Sequence, residues 1–377
     1  MYYKIMRGCF VALFVLLITL PFLTVNTERS SISENEKRVL AQSAPLIVDG
    51  RFNTEFPESF EVWLNDNIGF RSQMLRLNAE IQYKIFHELP NNYYNNTLGP
   101  NGESNYLTPD IVKSYQHENL LSERDLEVIA ESYQRLGDYV RQNGAAFYYV
   151  QCWDRQSVYP EYFPNSILQH GDVSRSDQIV SAIKNRTDIN IISLKHALLE
   201  AKKQYNVYGT WYDASHWTER GAYIGYIEIM NTINQEHGGK YLILNEDDYI
   251  ITVQDMGETQ FGGIHKPDDQ EVFEIRNPKA YQTDEIPIIH STYGDVKLYY
   301  NDSVDNEDTL LILGDSYIAA YLYDDFAESF HRVVYVRSAL VRQIEKLMQY
   351  YQPAVVINEN VERQGGEEHV IWVADTL

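Results

Sequence analysis

The chain has 377 residues, 44% hydrophobic and 23% charged, which is the composition of a globular protein with a sizeable core and excludes a disordered or low-complexity chain. Asp and Glu number 54 against 31 Lys and Arg, a net charge of −23, so nucleic-acid backbones and anionic membrane surfaces are poor partners. Only two cysteines occur, Cys9 and Cys152, which leaves no disulfide framework and no Cys-based zinc site; Cys152 reads as a small buried hydrophobe.

Lys4 and Arg7 precede an apolar run from Gly8 to about Val25, and no charge occurs between Arg7 and Glu28. The run suits a signal anchor that keeps its N-terminus in the cytoplasm. A cleaved signal peptide is the alternative, although no small-x-small site follows in Thr24-Val25-Asn26-Thr27-Glu28. Ser30 to Asp49 reads as a polar tether. Phe56 to Phe86 has helical spacing, with Phe60, Trp63, Leu64, Leu75, Leu77, Ile81 and Ile85 as the expected buried face. Asn91 to Asn105 reads as loop or turn. Ser122 and Asp125 form a capping box ahead of an amphipathic helix through Leu126, Ile129, Tyr133, Leu136 and Val140.

From there strands and helices alternate. Strands are expected at 146–151, 189–193, 309–313, 333–336 and 354–357. Helices are expected at 172–184, 194–204, 218–236, 317–330 and 339–350. Residues 245–307 read as a β-rich insertion. Short apolar strands separated by helices predict an α/β fold, a parallel sheet covered on both faces.

Three places carry chemistry. Leu311-Ile312-Leu313-Gly314-Asp315-Ser316 is a buried strand running into a tight turn and then a helix. A serine there lies at the carboxyl end of a parallel strand and at a helix N-terminus, where free N–H groups favour a developing oxyanion. Gly314 permits the turn. Asp213-Ala214-Ser215-His216-Trp217 puts an Asp and a His three apart on one loop, with Thr218 as cap of the helix that follows. A nucleophilic serine needs such a base and such an orienting group. Pro353 to Arg363 is another buried strand ending in polar residues, where Asn358 or Asn360 can point an amide N–H at Ser316 or simply form a turn. Chains of ten His and many Asp carry such pairs by chance, so it is the combination that counts.

Together these pieces resemble the SGNH/GDSL hydrolase superfamily. Asp213 and His216 precede Ser316, and that order resembles the membrane-associated polysaccharide O-acetyltransferases of the alginate O-acetylation type and the related DHHW proteins. Ser33 to Leu40, Asn65 to Arg71, Val150 to Pro164, Trp211 to Ala222 and Asn358 to Arg363 are each similar to a segment of that family. Members often place the Asp two residues before the His, where this chain has Ala214; Asp213 then takes the role.

The resemblance implies an SGNH-like parallel sheet flanked by helices, with a β-rich insertion and an N-terminal signal anchor. It implies a signal anchor at 1–27, an extracytoplasmic tether and helical segment at 28–117, and an SGNH-like catalytic domain at 118–377. The implied activity is O-acetyl transfer onto hydroxyls of a cell-surface or secreted polysaccharide. Ser316 would be nucleophile, His216 base and Asp213 its orienting group, with Asn358, Asn360 and Gly314 at the oxyanion. No acetyl-CoA signature occurs, no cofactor or metal is called for, and a membrane-embedded acyltransferase is the implied acetyl donor. An acetyl esterase using the same triad and a non-catalytic glycan-binding scaffold are the competing readings.

Overall fold

The computed structural model describes residues 2–27, 32–33, 38–90, 96–257, 264–283, 296–363 and 365–377. The chain divides into two compact units, Met1–Tyr94 with Gly257–Lys266, and Asn95–Met256 with Pro267–Leu377.

The first unit contains helix α1 (Tyr2–Leu23), α2 (Phe56–Asn67) and α3 (Arg71–Ile81). Within α1, Tyr3–Leu23 is long and apolar enough to cross a membrane and has a mean hydropathy of 2.2. Its two charges, Lys4 and Arg7, both lie at its leading end. The buried face expected between Phe56 and Phe86 is not found. Leu77, Ile81 and Ile85 are exposed, and the buried residues of α2 are Asp66 and Asn67. The reason lies in hydrogen bonding: Asp66 accepts from the N–H of Ala41 and Asn67 donates to the carbonyl of Ala41, so polar residues fasten this helix.

The second unit is built on one sheet. In chain order its elements are α4 (Pro109–Gln116), α5 (Glu123–Gln142), β1 (Ala146–Cys152), α6 (Arg175–Arg186), β2 (Asn190–Ser193), α7 (Lys195–Ala201) and α8 (Glu219–Glu236). There follow β3 (Tyr249–Asp255), β4 (Asp269–Ile275), β5 (Tyr281–Gln282), β6 (Val296–Tyr300), β7 (Thr309–Gly314), α9 (Ser316–Tyr321) and α10 (Tyr323–Ala327). The chain closes with β8 (Arg332–Arg337), α11 (Ile344–Tyr351), β9 (Val355–Val361) and α12 (Glu367–Ala374).

The sheet has seven strands in the order β5-β6-β8-β7-β9-β1-β2. The pairs from β8 to β2 are parallel, and β6 and β5 add antiparallel to one edge. Alternation along each strand makes two cores. Leu310, Ile312, Val355, Ile357 and Tyr335 pack against α8 and α9 on one face, while Leu311, Leu313, Val334 and Val356 pack against α5, α6 and α11 on the other. Fully burying each such side chain contributes about 1.5–3 kcal/mol. The mixed α/β fold with a mostly parallel sheet flanked by helices is therefore the one expected. The insertion supplies the antiparallel hairpin β3–β4 and the edge strands β5 and β6; residues 258–263 and 284–295 lie outside the described residues.

Two expectations need correction. The helix expected at 317–330 is two short helices, because Leu322 leaves helical geometry at φ −120° and ψ −1°. The last strand runs to Val361, so Asn358 and Asn360 lie inside it, on the face of Val356, and not in a turn after it.

Candidate active site

Ser316 is placed by a turn that is held from three sides. β7 ends at Gly314, and Asp315 caps α9 by accepting from the N–H of Tyr317 at 2.8 Å. The same carboxylate accepts from the N–H of Val361 on β9 at 2.7 Å. The Tyr335 hydroxyl donates to the carbonyls of Gly314 and Asp315 at 3.1 and 3.0 Å. Below the turn the N–H of Asp315 donates to Glu359 Oε2 at 2.8 Å. Gly314 leaves little room for a side chain: a Cβ would lie 3.1 Å from Glu359 Oε2 and 3.3 Å from Ile312 Cγ2, so either neighbour would have to give by a few tenths of an ångström. Its role in the geometry is this close approach.

His216 and Asp213 come from the loop before α8. Thr218 caps that helix, its hydroxyl accepting from the N–H of Gly221 as expected. Asp213 has φ +45°, a left-handed conformation that Asp tolerates better than most residues. Its Oδ2 is 2.9 Å from His216 Nδ1, and His216 Nε2 is 2.9 Å from Ser316 Oγ. With Nδ1–H donating to the carboxylate, Nε2 is left as the acceptor for the serine proton. Asp213 Oδ1 accepts from the N–H of Ser215 at 3.2 Å and from its hydroxyl at 2.7 Å. Burial raises the Asp213 pKa, but the hydrogen bond and charge of His216, together with the two hydrogen bonds from Ser215, outweigh it and hold the carboxyl below its usual value. The two side chains are 20% and 29% exposed, so the dyad meets solvent.

No protein-family profile matches the chain, and no curated protein matches it. Among solved structures the chain is similar to PatB1 of Bacillus cereus, solved with a sulfonyl adduct, with a TM-score of 0.50 and 16% identity over 66% of this chain and 93% of that one. It is also similar to a DHHW family protein from Eubacterium siraeum, with a TM-score of 0.46 and 14% identity over 64% of this chain and 88% of that one. A third similarity is to the O-acetyltransferase domain of Pseudomonas putida AlgJ, with a TM-score of 0.46 and 14% identity over 75% of this chain and 99% of that one. The likeness is one of fold. The fold that the sequence resemblance implies and the fold shared with PatB1 agree.

The structure brings Ser316, His216 and Asp213 together and places Asn358 and Asn360 elsewhere. Asn360 Nδ2 donates to the Tyr133 hydroxyl at 3.0 Å and to Asn358 Oδ1 at 3.2 Å, and Tyr133 in turn donates to Asn358 Oδ1 at 3.2 Å. Strand alternation puts both amides against α5, while Glu359 between them faces the serine turn.

Several residues of the site had no local sequence signal. The buried Asp268 accepts from the N–H and hydroxyl of Thr210 at 3.0 and 2.9 Å and from the N–H groups of Trp211 and Tyr212 at 3.0 and 2.8 Å. It fixes the stretch leading into Asp213. Tyr317 packs 5.5 Å from the His216 ring and 4.9 Å from Trp217, and its hydroxyl donates to Asp154 at 3.0 Å. Arg363 pairs with Asp154 and lies 5.3 Å over the Tyr317 ring. Among the family-like segments, Val150–Pro164 and Asn358–Arg363 therefore meet behind the histidine. Burial, then the charge of Asp315, pushes the Glu359 carboxyl well up. Among the described residues no group of His, Cys, Asp and Glu is placed to hold a metal.

Proposed function

We propose that the protein is an extracytoplasmic O-acetyltransferase that moves an acetyl group through an acyl-serine onto hydroxyls of a cell-surface or secreted polysaccharide. One observation carries the reading: the chain Ser316 Oγ, His216 Nε2, His216 Nδ1, Asp213 Oδ2, with 2.9 Å at each hydrogen bond, at a strand-to-helix turn. In the first half-reaction Ser316 Oγ attacks the acetyl carbonyl of the donor and its proton passes to His216 Nε2. Asp213 holds the ring and stabilises the imidazolium. The tetrahedral oxyanion lies toward the Ser316 N–H in the first turn of α9. Collapse breaks the bond to the donor oxygen, which takes the proton from His216. In the second half-reaction a glycan hydroxyl gives its proton to His216 and attacks the acetyl-serine. The new ester leaves, and Ser316 recovers the proton.

The donor is a membrane-embedded acyltransferase, and α1 is the anchor that holds the catalytic unit beside it. The sequence resemblance supports both assignments, and the apolar length of α1 supports the second. Water at the partly exposed dyad would turn the same chemistry into ester hydrolysis. Because the structure of PatB1 carries a sulfonyl adduct, a sulfonyl fluoride is the probe of choice here. Full-chain protein in detergent should gain one sulfonyl group on Ser316, and Ser316→Ala should gain none. With an activated acetyl ester and a glycan acceptor the wild type should form acetylated glycan faster than free acetate. Acetate as the sole product would make it an esterase, and labelling of Ser316→Ala would end the acyl-serine reading.

A further inference from the structure

A cavity of about 380 Å³ lies at the other end of α9 from Ser316. That is the lower range of small-molecule sites. Its lining residues include Tyr223, Tyr249, Phe273 and Tyr321 and the acidic Glu219 and Asp325. Tyr321 is five residues after Ser316, about 7.5 Å along a helix axis. Glu219 follows His216 by three residues, in the first turn of α8. The charges of Asp213 and Glu219 both act on the Tyr321 hydroxyl, after burial itself, to raise it. The cavity therefore borders the triad at the reach of one or two sugar rings.

The carboxylates are not used up by the fold. Asp325 is 9% exposed; its carboxylate accepts from the Tyr249 hydroxyl and from its own N–H, and a carboxylate has acceptor capacity beyond these two. Glu219 Oε2 accepts from the N–H of Phe273 at 2.5 Å, and Oε1 has no hydrogen-bond partner among the described residues. Glu274, Asp324 and Glu328 add further acids to the rim, against the single cation of the lining, Arg276. Arg276 is turned to backbone, donating to the carbonyls of Asp247 and Tyr249. Burial raises the carboxyls of both Asp325, to about 7, and Glu219. A cation entering the cavity would favour their charged forms.

We propose that this cavity is the acceptor subsite and that it takes a hexosamine unit bearing a free, protonated amino group. The proposal rests on the glycan-acceptor reading above and adds the chemical class of the acceptor. The aromatic lining gives the sugar ring an apolar contact, and the carboxylates of Asp325 and Glu219 accept the N–H bonds of its ammonium group. Polyuronates and phosphate-bearing polymers meet instead an acidic cavity on a chain of net charge −23.

The test is binding to full-chain Ser316→Ala in detergent at near-neutral pH, by calorimetry. The probes are a β-1,4-linked glucosamine tetramer, its fully N-acetylated counterpart and a mannuronate tetramer. The free-amine tetramer should bind at least tenfold more tightly than the N-acetylated one, and the mannuronate tetramer least of all. Adding Asp325→Asn should bring the first two within about twofold of each other. Adding Glu219→Gln is the second variant, because its amide oxygen can still accept from the Phe273 N–H and so keep the local fold. Equal or tighter binding of the N-acetylated or uronate tetramer, or an amine preference that survives both variants, would overturn the proposal. Sulfonyl labelling of wild-type Ser316 separates the two readings. If Ser316 labels and the amine preference is absent, only the acceptor class fails. If Ser316 does not label, it is the acyl-serine reading that fails.

Discussion

Replacing Asp213 by Asn isolates the charge that His216 faces, because the local backbone suits both residues. Asp213 sits at φ +45°, and Asn shares with Asp a tolerance of the left-handed region. Asn also keeps an oxygen for the N–H of Ser215. What disappears is the attraction between the carboxylate and the imidazolium that forms as Ser316 loses its proton. At about 4 Å between charge centres and an effective dielectric near 20, that attraction is about 4 kcal/mol. The side chains are 20% and 29% exposed, so solvent reduces it; we take about 3 kcal/mol. At about 1.4 kcal/mol per decade this is a loss of about two orders of magnitude in turnover. The new amide can also donate to Nδ1 and move the ring proton to Nε2, which removes the base. That second effect pushes the loss toward the roughly 10⁴ seen when a serine protease suffers the same change. Ser215 Oγ, 3.2 Å from Nδ1, offers the ring a substitute acceptor and limits the damage. The expected result is a fall of about 10³ in kcat for an activated acetyl ester. KM should hardly move, because the carboxylate touches no substrate. The double variant with His216→Ala should be little worse than His216→Ala alone, as for residues acting as one unit. A loss below tenfold in a variant with an unchanged melting temperature would refute the assignment of Asp213.

Glu359→Gln should be at least as stable as the wild type at pH 8, measured by thermal unfolding. The raised Glu359 pKa means that its contribution to stability is present below the ordinary Glu pKa and is lost as pH rises toward the folded value, so the gain from Gln should shrink at pH 5. Glu359→Ala removes the acceptor of the Asp315 N–H and should cost about 1–3 kcal/mol, with slower acylation of Ser316. Asp268→Ala strips four donors in residues 210–212 of their acceptor; kcat should fall at least tenfold, and equal activity would show that the loop holds itself. Full-chain protein should sediment with membranes, and removal of residues 1–27 should release it. Sedimentation of the folded, shortened chain would place a second membrane contact elsewhere.

The parallel strands were legible because each is a run of apolar residues with little else in it. Thr309–Gly314 and Arg332–Arg337 differ from the expected spans by one residue at each end or less. The meeting of Ser316, His216 and Asp213 was legible because each lies in a short motif whose proposed chemistry demands neighbours of that kind. Asn358 and Asn360 were misplaced for a physical reason. Polar residues at the end of an apolar strand look like its exit, but here the sheet continues through them, pairing Glu359 with Val150 and Asn360 with Gln151. A buried strand tolerates them because each amide finds partners in Tyr133 and its neighbour. Asp268 could not be found locally at all. Pro267-Asp268-Asp269 reads as a turn, and the loop it serves lies more than fifty residues earlier in the chain. The face expected in Phe56–Phe86 failed for the opposite reason: periodicity marks an apolar stripe but does not say whether anything covers it.

The order of the triad in the chain matters less than the direction of the sheet. All strands from β8 to β2 run the same way, so β7, β9 and β1 deliver Ser316, Val361 and Asp154 to one edge. Any segment that crosses that edge can supply a base, and in the proposed mechanism it is the loop ahead of α8, braced by Asp268. Helix α9 then has two ends with different tasks. Its first residue is the proposed nucleophile and its last, Tyr321, lines the acidic, aromatic cavity. A substitution at the first end should therefore change rate for every acceptor alike, whereas one at the Tyr321 end should change which acceptor is used. Tyr321→Ala tests that division. Transfer to a free-amine glucosamine oligomer should fall at least tenfold relative to hydrolysis by water, while sulfonyl labelling of Ser316 keeps its wild-type rate. A parallel fall in both would mean that Tyr321 supports the nucleophile helix itself and that the two ends are not separable.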